Sequence, residues 1–112
     1  MQLTIADLQE YLAQHYAIHP NGVETNLFMK LIEEIGEVAE VLNQRAGRKT
    51  QDKNDLEDEL VTELADVIHY VVALAAINGL NVTEAILSKD KQAAVKYHHK
   101  IDLETFIQQK VK

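Results

Sequence analysis

The apolar residues of this chain recur with helical period in a few long runs, and the breaks between runs are sparse. Leu8 and Leu12 mark the inner face of a first helix, with Thr4 as its cap, running to about Tyr16. Pro20 and Asn21-Gly22 interrupt the pattern within Ile18–Gly22. A second helix is predicted from Glu24 to Arg45, closed near Gly47, a suitable residue for a left-handed C-terminal turn. The polar stretch 47–54 (GRKTQDKN) connects it to a third helix from Asp55 to Asn78, which stops at Gly79. Thr83 is the expected cap of a fourth helix, with Glu84 in its first turn, that continues through Ala93 to about Lys100. Asp102 caps a short terminal helix, Leu103–Lys110, or the last two helices are continuous. No strand-like alternation appears. Helices of ~20 residues are ~30 Å long, which suits an antiparallel bundle. The expectation is an all-α bundle of four to five helices in one domain, 1–112.

One part of this pattern is too apolar for a lone bundle. Val67–Ile77 is apolar nearly all round, and such a helix is buried on every side. A second copy packing on this segment, in a homodimer or a dimer of dimers, would complete the bundle.

Another part is too acidic. Leu27–Leu42 (LFMKLIEEIGEVAEVL) aligns with Leu56–Val71 (LEDELVTELADVIHYV). Leu27, Leu31 and Val38 fall on Leu56, Leu60 and Val67, while Glu34 falls on Glu63 and Glu37 on Asp66. Glu34 and Glu63 thus sit inside the apolar stripes of their helices. A buried carboxylate without a counter-charge is costly, and two close together more so. A bound cation removes the cost. On each helix the acids lie at i and i+3, and an antiparallel pair brings both couples to mid-helix. Four carboxylates, Glu34, Glu37, Glu63 and Asp66, make a hard-oxygen ligand set that favours Mg²⁺, with Mn²⁺ or Ca²⁺ as substitutes, over Zn²⁺ or Cu²⁺. Mg²⁺ keeps positions open for water and phosphate oxygens, so the set points to phosphate chemistry.

Composition narrows the picture further. The 112 residues are 46% hydrophobic, with 4 Gly, 1 Pro and no Cys, enough for a core and free of helix breakers. Without Cys there is no disulfide framework, thiolate zinc site or Cys nucleophile, which fits a reducing cytoplasm. Lys plus Arg number 11 against 18 acids, a net charge of 11 − 18 = −7, which argues against a nucleic-acid partner. The N-terminal MQLTIADLQE has neither the basic nor the apolar region of a signal peptide. The stretch Val67–Leu80 is short for a bilayer and includes His69 and Asn78, so no membrane partner is expected. P-loop, dinucleotide glycine and GxSxG motifs are absent, leaving phosphate to metal and side chains.

The residues Lys30-Leu-Ile-Glu33-Glu34-Ile-Gly-Glu37, followed by Glu63-Leu-Ala-Asp66, resemble the EExxE…ExxD signature of MazG-like nucleoside triphosphate pyrophosphohydrolases, within the all-α NTP pyrophosphatase superfamily. The resemblance implies a helical dimer and Mg²⁺-dependent hydrolysis of an NTP or dNTP to the monophosphate and pyrophosphate. By position it makes Glu34, Glu37, Glu63 and Asp66 the metal ligands, Glu33 the residue that orients or deprotonates water, and Lys30 a phosphate contact. Lys89 and Lys96 are the basic ends of a run that in many relatives reads Lys…Asn…Arg, with Ala93 where Asn is expected and Glu59 where a basic residue is common. Two alternatives remain: hydrolysis of a related metabolite such as phosphoribosyl-ATP, and a non-catalytic metal- or nucleotide-binding dimerisation module.

Other signals carry less. His15 and His19 have metal-pair spacing but no third ligand nearby. His98 and His99 are adjacent and diverge on a helix. His69 reads as a hydrogen-bonded core or interface residue. Arg45, Arg48, Lys49 and Lys53 form a basic cluster before the third helix, a solvated group or a phosphate clamp.

Overall fold

In a computed structural model of the chain, residues 1–17, 23–47 and 56–111 are described. They form α1 (Ile5–Tyr16), α2 (Val23–Arg45), α3 (Leu56–Ile77), α4 (Val82–Lys96) and α5 (Leu103–Val111), with no strand among the described residues. The expected break at Pro20–Gly22 and the basic residues Arg48, Lys49 and Lys53 lie outside the described residues, as do His19 and Asp55. The helices divide into two units, Met1–Leu80 and Asn81–Lys112.

In the first unit, α3 is the central helix and packs against both α1 and α2. A capping box starts α1: the Asp7 N–H donates to Thr4 Oγ1 (3.0 Å), and the Thr4 N–H donates to the Asp7 carboxylate (3.2 Å). Leu12, Leu27, Val72, Ala73 and Ala76 form the core, with Ile5, Leu8, Tyr16, Val23 and Tyr70 packed against it. The small side chains of Ala73 and Ala76 leave room for α1 on the C-terminal half of α3. The apolar excess of Val67–Ile77 is therefore met on one side from within the chain, by α1. Gly79 ends α3 with φ +65°, and the Leu80 N–H donates to the Ala75 carbonyl (3.0 Å), closing a Schellman turn that only a residue tolerant of positive φ makes cheaply. By length and composition α3 is apolar enough to cross a membrane, although Glu63 and Asp66 lie on it and α1 and α2 cover two of its faces.

In the second unit, α4 begins differently from expectation. Its cap is Asn81 rather than Thr83, because Asn81 Oδ1 accepts the Glu84 N–H at 3.0 Å. It also stops earlier, at Lys96, where His98 adopts φ +57° and the His99 N–H reaches the Ala94 carbonyl (2.9 Å). A Schellman turn with histidine in the usual glycine place thus separates the last two helices. Asp102 caps α5 as expected, accepting the Thr105 N–H at 2.8 Å. Asp90 of α4 accepts the Leu103 N–H at 2.6 Å, and Lys91 pairs with Glu104 at 2.8 Å.

Candidate metal centre

The antiparallel pairing of α2 and α3 makes the site. Glu34 and Glu63 occupy positions that helical period assigns to the interface, and both are half-buried. Oε2 of each is fully buried and has no hydrogen-bond partner. Glu37 joins them, so that one carboxylate oxygen from each of Glu34, Glu37 and Glu63 lies within 4.8 Å of the others. Three carboxylates at that separation cannot all be ionised without a counter-charge. The Glu63 carboxyl is accordingly pushed up to about 8, first by its hydrogen bond with Glu37, then by burial and its hydrogen bond with Glu34. The hydrogen bond from Glu63 pulls the Glu34 carboxyl down, but burial and the charges of Glu37 and Asp66 outweigh it and leave Glu34 above the usual range. A divalent cation would supply the positive charge this cluster lacks.

Glu33, Gly36, Glu37, Glu40, Glu59 and Glu63 line a cleft of about 360 Å³ beside the cluster. Glu33 is exposed at its rim and pairs with Lys30 at 3.5 Å. Asp66 is half-buried and contributes no oxygen to the three-residue group, although its charge acts on Glu34. The reason is register. The internal repeat sets Glu37 beside Asp66 when both segments are read forwards, but antiparallel packing reverses one of them. With Glu34 across from Glu63, residues C-terminal to Glu34 meet residues N-terminal to Glu63. Glu37 thus moves to the Glu59 end and Asp66 to the other. Glu40 and Glu59 were not singled out as site residues by the motif. Their spacing from Glu37 (i+3) and Glu63 (i−4), read with the reversed register, is the signal that finds them.

Lys89 and Lys96 are exposed on α4 in the second unit, where Lys96 Nζ sits 5.4 Å from the centre of the Tyr97 ring. His69 Nε2 and the Tyr16 hydroxyl are hydrogen-bonded at 2.9 Å between α3 and α1. Burial and the nearby His15 hold the His69 imidazole below its ordinary value, against the charge of Asp66. His15 stacks on Tyr11, with ring centres 5.9 Å apart.

Residues 23–100, a span that contains every acid of the cluster and cleft, match the MazG nucleotide pyrophosphohydrolase domain. The crystal structure of iMazG from Vibrio DAT 722 is similar in fold, with a TM-score of 0.63 and 32% sequence identity, over 85% of this chain and 98% of that one. Among curated proteins none matches.

Proposed function

The chain belongs to the MazG nucleotide pyrophosphohydrolase family, and on that premise we propose that it hydrolyses a nucleoside triphosphate, ribo or deoxy, to the monophosphate and pyrophosphate with Mg²⁺ as its cation. The observation that carries the reading is the meeting of Glu34, Glu37 and Glu63 within 4.8 Å, with a buried, unpartnered oxygen on Glu34. These donors fit a hard divalent ion: they are all carboxylate oxygens, and the proton held near Glu63 marks a missing positive charge.

Glu34, Glu37 and Glu63 would hold the ion, with Asp66 completing the set from the far side. Once bound, the ion supplies charge stabilisation for the phosphate oxygens and the pyrophosphate leaving group. Glu33 stands at the cleft rim, exposed and able to take a proton from attacking water. Lys30, 3.5 Å from Glu33, offers its ammonium to a phosphate. An acidic cleft repels a polyphosphate on its own, so a cation held by these carboxylates would offset that repulsion. Lys89 and Lys96 are the further basic residues assigned to phosphate contact.

The test is pyrophosphate release with Mg²⁺ across canonical and modified NTPs and dNTPs, with phosphoribosyl-ATP in the same panel. Release from at least one nucleoside triphosphate is expected, lost in Glu34→Gln and Glu63→Gln with helicity intact. Release from phosphoribosyl-ATP alone would replace the substrate class, and full activity in both variants would sink the assignment.

A further inference from the structure

Among the described residues, one polar side chain is buried: Gln44, 8% exposed near the C-terminus of α2. Its Oε1 is shut off from solvent and accepts no hydrogen bond from any described residue. The other buried residues towards this end of the α2–α3 pair, Val41 and Leu56, are apolar and offer it no side-chain donor. A buried amide oxygen without a donor is costly, and leucine or methionine would fill the same space without that cost. The position thus keeps an acceptor for which the described chain supplies no donor.

The place of Gln44 on α2 points to where a donor comes from. At about 100° per residue, Glu33, Glu37, Glu40 and Gln44 fall within roughly 60° of one another, on a single stripe. The acidic cleft runs along this stripe from the carboxylate cluster towards Glu40 and Glu59, and Asp66 does not line it. Gln44 stands one turn beyond Glu40 and about 10 Å along the helix from Glu37. With the reacting phosphates at the cluster, the sugar and base of a nucleotide laid along the cleft extend towards Gln44. The side chains on the way, Glu40 and Glu59, are carboxylates, which accept hydrogen bonds and repel the carbonyl oxygens of a base.

We propose that Gln44 is a specificity residue whose Oε1 accepts a hydrogen bond from an exocyclic amino group of the nucleobase. The preferred substrates are then triphosphates whose base carries an amino group at the edge facing Gln44, rather than a carbonyl or a hydrogen. This inference rests on the pyrophosphohydrolase reading of the site. Because Oε1 has no hydrogen bond to give up in the free protein, turning the amide towards the cleft forfeits none at that oxygen. An amino group then satisfies it. A carbonyl in the same place sets two acceptors against each other and leaves both without a donor.

The test is kcat/KM for pyrophosphate release, with Mg²⁺, from pairs of nucleotides that differ at one amino group. The pairs are cytidine against uridine triphosphate, adenosine against inosine triphosphate, and guanosine against inosine triphosphate, each in ribo and deoxy form. In at least one pair the amino-bearing member should lead by about tenfold or more in the wild type, the worth of one hydrogen bond made or missed. Gln44→Leu and Gln44→Met should bring that pair to within about twofold by raising KM for the amino-bearing member, since the contact is the same in ground and transition states. A purely structural role would instead lower both members together. No preference in any pair, or a preference for the carbonyl members, overturns the proposal on the wild type alone and leaves the pyrophosphohydrolase reading standing. A preference that survives both substitutions overturns the role of Gln44. Absence of pyrophosphate release from every nucleotide overturns the reading of the site and this inference with it.

Discussion

Replacing Glu63 by Gln should make the metal-free protein more stable at alkaline pH while removing its activity. Glu63 has an ordinary carboxyl value of 4.5 when unfolded and is pushed up to about 8 in the fold. Between those values the folded state holds a proton that the unfolded state has lost. Stability is therefore fully present below 4.5, declines as pH rises, and levels off above about 8. At about 1.4 kcal/mol per pH unit the ceiling is about 5 kcal/mol. Glu63 is only half-buried, and its titration is coupled to that of Glu34, so solvent screening and coupling reduce the figure to about 2 kcal/mol for the site. Glutamine keeps the shape and cannot ionise. Chemical denaturation of both proteins from pH 5 to pH 9, in chelator, isolates the site as the difference between them. The variant should gain about 2 kcal/mol on the wild type over that range. Adding Mg²⁺ at pH 9 should restore the wild type and leave the variant nearly unchanged. A wild type and variant that run parallel from pH 5 to pH 9, or a variant less stable at pH 9, would refute the reasoning.

Three further changes probe other parts of the account. Gly36→Ala should stabilise α2 by roughly 0.5–1 kcal/mol, since an added Cβ meets nothing within 4 Å, yet lower kcat/KM because the methyl enters the cleft; unchanged kinetics would mean that substrate does not use it. Tyr16→Phe should cost about 1 kcal/mol by thermal denaturation, as it removes the hydrogen bond to His69. Asn81→Ala should cost about 1 kcal/mol and Thr83→Ala less, because Asn81 is the residue that caps α4; the reverse order would restore the expected cap.

Much of the fold was legible because helical period is a strong signal over long runs. The boundaries of α1, α2 and α3 fall within a residue or two of expectation where they are described, and the burial of Glu34 and Glu63 followed from their offsets to Leu27, Leu31, Leu56 and Leu60. What the pattern could not supply was direction and competition. A repeat aligned forwards pairs Glu37 with Asp66, whereas antiparallel packing sends them to opposite ends of the site and brings Glu59 to Glu37. Asn81 and Thr83 are both competent caps, and only the backbone at Asn81, extended with ψ 96°, selects between them. The end of α4 was missed because His98 takes a conformation that sequence reading reserves for glycine.

The central claim is that the carboxylate cluster serves cleavage of the α–β phosphoanhydride bond of a nucleotide. Phosphorus NMR of a Mg²⁺-nucleoside triphosphate incubated with the wild type and with Glu34→Gln reads this directly. The account predicts nucleoside monophosphate and pyrophosphate in equal amounts from the wild type and an unchanged triphosphate spectrum with the variant. Nucleoside diphosphate and inorganic phosphate as the products, or equal turnover by the variant, would contradict it.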